Sequence, residues 1–551
     1  MDQSRVVIAI VLSFLVFFLW EYFTVDKDAV NKTSEETQVL QVEKQKKFTP
    51  EEELSAGSIG NESPAKPSAI AGTGRTIRID TELYTAEISE NGAVLKSFML
   101  KKYRETVEKT SPFKELISKD MTKGVCRTWS KNESIPEMIG AVYNAEVSDE
   151  KIEIISETQS IKFIWISTDG ITVEKEYSFS PDTYLIGLNL TIKNGSDRPL
   201  VDHLILSIEK AFTEGGRVYG FTGPSALINQ KLEQIKTKKL KDKDTFEGKI
   251  NWIALQDRYF LESVIPGNTD DAILQVLQHE ENIIESRLIT EMKNINPGEY
   301  KQFVFDLYFG PKSMKVLADI NNGLGKAINF GMFDILAKPC LWIMNFVYGF
   351  IPNYGIAIII LTLFTKLLLW PLGNKSYKSM GEMKKIQPLM AELREKYKDD
   401  KKRMNQELMG LYKVYKINPM GGCLPMVVQM PVFFALYRML YEAIELRHAP
   451  FFMWINDLSA PDRLFHFDIS IPFMEPPYGI PVLTIVMGAT MFLQQKLTPS
   501  PGDPTQAKMM MFMPVIFTVI FINFSSGLVL YWLINNILSI AQQYYTQKKM
   551  A

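Results

Sequence analysis

MMMFMPVIFTVIFINFSSGLVLYWLINNILSIAQQYYTQ, residues 509–547, contains no Lys, Arg, Asp or Glu over 39 positions. About 20 apolar residues cross a ~30 Å hydrocarbon core, so the run is too long for one span and right for two. Asn523-Phe524-Ser525-Ser526-Gly527 supplies the turn between them. Working outward, residues 476–495 form another uncharged stretch, and 422–444 a further apolar one, with Pro431 as an expected kink and Arg438 near its far end. Residues 339–365 are also free of charge, but Gly349, Pro352 and Asn353-Tyr354-Gly355 interrupt them. Residues 340–350 are therefore expected to lie in the membrane interface, while 355–371 cross and stop at Pro371. At the amino end, residues 6–20 continue through Tyr22 and Phe23. Phe17, Phe18, Leu19 and Trp20 replace the small residues of a signal-peptidase site, so an uncleaved anchor is expected. The total is six spans.

Loop charge sets the orientation. Residues 374–418 hold twelve Lys/Arg and six Asp/Glu, whereas 442–475 hold two and six, so the first loop is read as cytoplasmic and the second as outside. With six spans both termini are cytoplasmic, which agrees with Lys548-Lys549 at the carboxyl end. The cytoplasmic loop has coiled-coil spacing in Met383, Ile386, Met390, Leu393 and Tyr397, and again in Met404, Leu408, Leu411 and Tyr415. Residues 398–402 separate the two runs, predicting an antiparallel helical hairpin. Its net charge of +6, with Lys384, Lys385, Lys401, Lys402 and Arg403, suits contact with ribosomal RNA, anionic lipid or acidic protein; a solvated, orientation-setting surface fits equally.

The whole chain of 551 residues is near neutral at net −2, which argues against wrapping or specifically binding DNA, and its three cysteines exclude a disulfide scaffold. Residues 26–74, poor in aromatics and rich in Glu, Lys, Ser, Thr and Gly, read as a disordered linker. Beyond them, Ile77/Ile79, Ile152/Ile154, Ile161/Phe163/Trp165, Tyr177/Phe179 and Tyr184/Ile186/Leu188/Leu190/Ile192 alternate with polar residues, as half-buried strands do. Asn91-Gly92, Asp169-Gly170 and Asn194-Gly195 sit where tight hairpin turns are expected, which predicts a large antiparallel β-sandwich. Lone Cys126 reads as an inert buried thiol. From residue 314 to 350 the pattern is helical and amphipathic.

The expected fold class is thus a polytopic α-helical membrane protein with six transmembrane helices and a large extracytoplasmic antiparallel β-sandwich. Its organisation is an anchor at 1–25, a linker at 26–74, the sandwich at 75–312, and interfacial helices at 313–350. There follow a second transmembrane helix at 351–373, the cytoplasmic hairpin at 374–418, transmembrane helices three to six at 419–547 and a short cytoplasmic tail at 548–551.

No enzyme motif is present. The four histidines His203, His279, His448 and His466 form no H-E-x-x-H, and there is neither a P-loop nor a CxxC, so no catalytic residue, metal or cofactor is expected. What remains is Lys366, an ionisable residue inside the second span, where such groups usually face protein or water. It lies five residues before Pro371, about 7.5 Å at ~1.5 Å per residue, so snorkelling to the cytoplasmic surface is an equally good reading. Thr362 stands one turn above it on the same face, with Gln429, Gln494-Gln495 and Asn535-Asn536 in other spans. These polar residues suit either helix-to-helix hydrogen bonding or a wet groove within the membrane.

Asn418-Pro419-Met420-Gly421-Gly422-Cys423-Leu424-Pro425, Gln429-Met430-Pro431, Glu445-Leu446-Arg447, Trp454-Ile455-Asn456-Asp457-Leu458-Ser459, Phe512-Met513-Pro514-Val515 and Ser526-Gly527-Leu528-Val529-Leu530-Tyr531-Trp532 resemble, in order, the core of the YidC/Oxa/Alb membrane protein insertases. The six-span form with a β-sandwich is similar to the bacterial members from organisms with two membranes, which implies an inner-membrane protein whose large domain is periplasmic. The resemblance implies a five-helix insertase core around a positively charged groove, open to cytoplasm and lipid and closed outside. Lys366 would supply the groove's charge, Thr362 and Gln429 its polar lining, and Met430, Phe433, Tyr531 and Trp532 the apolar and aromatic contacts to substrate. Implied partners are nascent membrane proteins, the ribosome, the Sec translocon (SecYEG and SecDF) and membrane lipid. Bacterial members commonly carry arginine where this chain has Lys366, so the charge is kept while the planar bidentate fork is lost. Two rival readings are a solute transporter with Lys366 as substrate counter-ion, and a membrane-anchored periplasmic chaperone whose active part is the sandwich.

Overall fold

A computed structural model describes residues 74–117, 124–212, 220–237, 240, 243–267, 272–279, 283–320, 322–415, 424–498 and 504–550. The expected amino-terminal anchor, most of the linker, and the Asn418–Cys423 part of the third-span motif lie outside the described residues. The chain divides into two compact units. Among the described residues one comprises 74–103, 113–310 and 322–324; the other comprises 104–112, 311–320 and 325–550.

The first unit is built from strands: β1 Thr76–Asp80, β2 Tyr84–Ser89, β3 Val94–Arg104, β4 Phe113–Ile117, β5 Arg127–Ser130, β6 Asn144–Ala145, β7 Lys151–Glu153, β8 Gln159–Ile166, β9 Thr172–Phe179, β10 Leu185–Lys193, β11 Leu200–Ala211, β12 Gly223–Ile228, β13 Lys231–Gln234, β14 Thr245–Glu247, β15 Ile250–Gln256, β16 Phe260–Pro266, β17 Ala272–Gln278, β18 Ile283–Ile295 and β19 Tyr300–Pro311. Nine of them form one sheet in the order β13-β12-β15-β16-β19-β10-β9-β8-β6, and two five-stranded sheets run β4-β3-β2-β1-β7 and β14-β17-β18-β11-β5. The alternating strands β9 and β10 bury every second residue, because a pleated strand with one face on the core must. Val173, Tyr177 and Phe179 of β9 pack beside Ile186, Leu188, Leu190 and Ile192 of β10.

Two expectations change here. Strands β1 and β7 pair in parallel, so the unit is not wholly antiparallel. Asn194-Gly195 is not a hairpin turn: β10 belongs to the nine-stranded sheet and β11 to a five-stranded one, so the segment carries the chain between sheets. The buried Asn194 amide holds that crossing, donating to the carbonyls of Arg198 at 2.7 Å and Ile295 at 2.8 Å. Asn91-Gly92 and Asp169-Gly170 do lie between paired strands, with Gly92 and Gly170 at φ of 79° and 81°. Cys126 is fully buried.

The second unit is helical: α1 Met314–Ala318, α2 Asp334–Phe350, α3 Tyr354–Leu368, α4 Trp370–Lys385, α5 Gln387–Lys396, α6 Lys401–Val414, α7 Leu424–Glu442, α8 Val482–Leu497, α9 Pro504–Phe521 and α10 Ser526–Met550. Helix α2 starts upstream of residue 340 and contains Pro339; it buries Ala337, Leu341 and Met344 while Ile335, Trp342, Phe346 and Phe350 stay exposed. Among the described residues no single helix is long and apolar enough to cross a membrane, whereas α3 and α4 pass that test together with a 65° bend between them. The bend falls at Leu369, and Pro371 sits in the first turn of α4. The proline therefore starts the next helix, where its missing N–H is harmless, as well as ending the previous one.

Helices α5 and α6 close on Ile386, Met390, Leu408 and Tyr412, flanked by Met383, Leu393, Met404 and Leu411. Tyr412, not Tyr415, completes this seam. Tyr415 lies beyond the end of α6 at Val414 and is exposed. Asp400 caps α6 by accepting from the Arg403 N–H.

Candidate functional site

Lys366 sits in the last turn of α3, and its ammonium turns toward α10. Nζ donates to Ser539 Oγ at 2.6 Å and, more weakly, to Asn535 Oδ1 at 3.4 Å. Gln429 of α7 donates to the same Asn535 oxygen at 2.9 Å and also bonds the Tyr531 hydroxyl, so three helices converge on one polar node. Ser539 is shared further with the Tyr377 hydroxyl of α4. Among the described residues no carboxylate pairs with Lys366, and the ammonium is held by neutral oxygens. A charge inside an apolar bundle that is hydrogen-bonded but not neutralised remains attractive to an incoming anion.

The node belongs to a polar stripe on α10. Asn535, Ser539, Gln542 and Thr546 follow at steps of four, three and four, which keeps them on one helical face. Gln542 donates to the Trp370 carbonyl and to Asn374 Oδ1, both at 3.0 Å, and Thr546 reaches Asn374 at 3.2 Å. These contacts tie down the first turn of α4 beside the bend, where helix carbonyls and amides lack full intrahelical partners. Gly373 permits the approach, since a Cβ there would lie 2.7 Å from the Gln542 amide.

The other expected residues divide. Gln429 joins the node. Thr362 is 1% exposed and its hydroxyl donates to the Ile358 carbonyl of its own helix at 2.6 Å, so it packs inside the bundle instead of lining an open surface. Tyr531 is likewise buried, at 3% exposure, and offers no face to a sliding substrate in this conformation. Phe433 and Trp532 are half-buried and stand edge to face at 4.6 Å, with Phe521 at 5.0 Å and Phe517 at 6.3 Å from Trp532. Met430 is half-buried beside Gln429. In the hairpin, Lys384, Lys385, Lys402 and Arg403 are exposed, Arg403 lying over the Tyr397 ring, and Lys401 opens α6. Ser539, Tyr377, Gln542 and Asn374 were not singled out in the sequence; the spacing of polar residues within the carboxyl-terminal apolar run was the available signal. Among the described residues no group of His, Cys, Asp and Glu is arranged to hold a metal ion.

At the opposite end of the bundle the loop between α7 and α8 is bonded to the start of α10. Ser526 and Gly527, opening α10, donate their N–H groups to the carbonyls of Ala460 and Leu458 at 2.7 and 2.9 Å, and the Ser526 hydroxyl reaches the Asp457 carbonyl. Gly355, opening α3, is packed so closely on Phe451 that a Cβ would fall 1.9 Å from its ring.

Residues 346–551 match the family described as 60Kd inner membrane protein, and residues 76–343 match the YidC periplasmic domain. The chain is 42% identical over 561 residues to a protein named membrane protein insertase YidC from Syntrophus aciditrophicus (strain SB), covering 99% of this chain and 100% of that one. It is 38% identical over 568 residues to the insertase of the same name from Syntrophobacter fumaroxidans, again over 99% and 100%. With that from Geotalea daltonii it shares 39% identity over 553 residues, covering 100% and 99%.

Proposed function

The chain belongs to the YidC family of membrane protein insertases, and from this premise we propose that it integrates nascent membrane proteins into the inner membrane by a groove centred on Lys366. It does so as an insertase and chaperone, not as an enzyme. In this reading six helices cross the membrane with both termini cytoplasmic and the β-unit periplasmic. The hairpin of α5 and α6 offers its exposed basic residues to the ribosome or to anionic lipid, and the Sec translocon (SecYEG and SecDF) is a partner for part of the work.

The observation that carries the proposal is the Lys366 ammonium turned into the bundle, held by Ser539 and Asn535 without a neutralising carboxylate among the described residues. A hydrophilic, acidic tail entering from the cytoplasm is drawn to it. At ~4 Å and an effective dielectric of ~20 the gross Coulomb attraction is ~4 kcal/mol, and solvation offsets much of that, which leaves a reversible hold. The substrate's apolar segment passes Met430, Phe433 and Trp532 into lipid, where hydrophobic transfer completes release. A membrane potential positive outside assists acidic tails by ~2.3 kcal/mol per charge per 100 mV.

Reconstitution separates this from its rivals. Proteoliposomes holding the full chain should integrate an in vitro translated single-span protein with an acidic tail, made protease-resistant at its lumenal end. Accumulation of a small solute with no integration would favour the transporter instead.

A further inference from the structure

The loop between α7 and α8 has a buried polar frame and an apolar rim. Asp457 accepts from the N–H groups of His448 and Ser459 and from the Ser459 hydroxyl. Asp462 is 3% exposed and accepts from the Trp454 indole and the Leu483 N–H. Arg463 is buried and donates to the carbonyls of Pro477 and Ile522 and to Asn523, whose amide donates in turn to the Phe473 carbonyl. Against this frame Met453, Phe465, Ile469 and Phe473 are 88%, 72%, 71% and 80% exposed. Three of them are held at positive φ, Met453 at 59°, Phe465 at 52° and Phe473 at 66°. Bulky side chains rarely adopt that region, and such strain persists only where the surrounding structure imposes it. The frame thus fixes large apolar side chains outward at positions from which a pliant loop would withdraw them.

We propose that Phe465, Ile469 and Phe473, with Met453, insert into the boundary between headgroups and acyl chains of the outer leaflet, fastening the extracytoplasmic end of the bundle to lipid. The occupant follows from what the loop adjoins. Its frame is bonded to the start of α8 and to the α9–α10 turn, and exposed Ile480, Ile485 and Val486 carry the apolar surface from the loop onto α8. Exposed His466, Asp468 and Glu475 stand among the apolar tips, the mixture that interfacial segments present at headgroup depth.

The inference rests on the reading of α8 and α9 as membrane-crossing, so its test carries a control for that reading. In the full chain with Cys126, Cys340 and Cys423 replaced by Ala, single cysteines at Phe465→Cys, Ile469→Cys, Phe473→Cys, Asp468→Cys and Ile516→Cys take a nitrobenzoxadiazole label. The proteins are placed in phosphatidylethanolamine/phosphatidylglycerol vesicles. Labels at 465, 469 and 473 should lose about half their emission to a shallow nitroxide lipid and resist aqueous iodide, as groups buried ~5–10 Å in the interface do; the label at 468 should be quenched by iodide. Iodide quenching at 465, 469 and 473 equal to that at 468 overturns the proposal, as does shielding from both quenchers, the mark of a protein cover. Either result with Ile516→Cys still quenched by nitroxide lipid leaves the spanning helices intact; loss of quenching at 516 fells both readings.

Discussion

At position 366 the decisive quantity is where the ammonium points. A lysine five residues from a proline has stem enough to reach water, yet Nζ turns sideways to Ser539 and Asn535. Hydrogen bonds to charged groups contribute roughly 1.5–3 kcal/mol, so Ser539→Ala should weaken capture of an acidic tail by roughly tenfold or more, and Ser539→Thr should restore it. Crosslinking yield between a stalled nascent chain and a probe at Phe433 measures this. Lys366 and Gln429 were visible in the sequence because each interrupts an apolar run. Ser539 was not, because a lone serine is unremarked in a membrane helix and matters here only through its register with Asn535. In the β-unit, Lys175 is fully buried, its ammonium donating to the Gly92 carbonyl and lying over the Tyr143 ring. Burial pushes it down to about 7 from the ordinary lysine value. The unfolded chain then binds more protons than the folded one between pH 7 and the ordinary value near 10.5, so stability rises with pH across that window. The thermal midpoint of the β-unit should climb from pH 7 to 9 in the full chain, and Lys175→Met should flatten that slope.

Among elements, the close fit of Gly355 on Phe451 is the sharpest constraint on how α3 meets the α7–α8 loop. Gly355→Ala forces the ring away, and overpacking of this kind costs about 1–3 kcal/mol. The variant should melt lower in detergent, and Phe451→Ala should recover part of the loss in the double variant, whereas independent sites would simply add. Elements also explain what could be read in advance. Strands β9 and β10 announce themselves by alternation. Strands β12, β15 and β16 are buried at every residue, so a two-residue period does not exist in them. The sheet change after β10 was hidden for a different reason: Asn-Gly signals a tight bend, but the Asn194 side chain, bonded locally to Arg198 and across the fold to Ile295, turns the chain into the other sheet. The hairpin seam was legible in its aliphatic residues and not in its aromatic ends: Tyr412 takes the place expected of Tyr415, which lies beyond α6, and Tyr397 is not in the cluster.

For the molecule as a whole, function was legible because the described motif runs lie in the carboxyl-terminal unit, in α7, α9, α10 and the loop after α7, whereas among the described residues length and apolarity alone pick out only the bent pair α3 and α4. If those helices hold the insertion machinery, removing residues 75–310 and joining the ends by a flexible linker should leave integration of single-span substrates within about twofold of the full chain, a difference below ~0.5 kcal/mol. Loss of integration with the helical unit still folded would move the activity to the β-unit. The most direct measurement of the central claim is a charge exchange in proteoliposomes: the full chain, Lys366→Ala, Lys366→Arg and Lys366→Glu are each given a single-span substrate with an acidic tail and the same substrate with a basic one. If Lys366 holds the tail by its charge, acidic tails are integrated by the parent and by Lys366→Arg but poorly by Lys366→Ala, and Lys366→Glu gains integration of the basic tail. Equal integration of the acidic tail by all four proteins would contradict it.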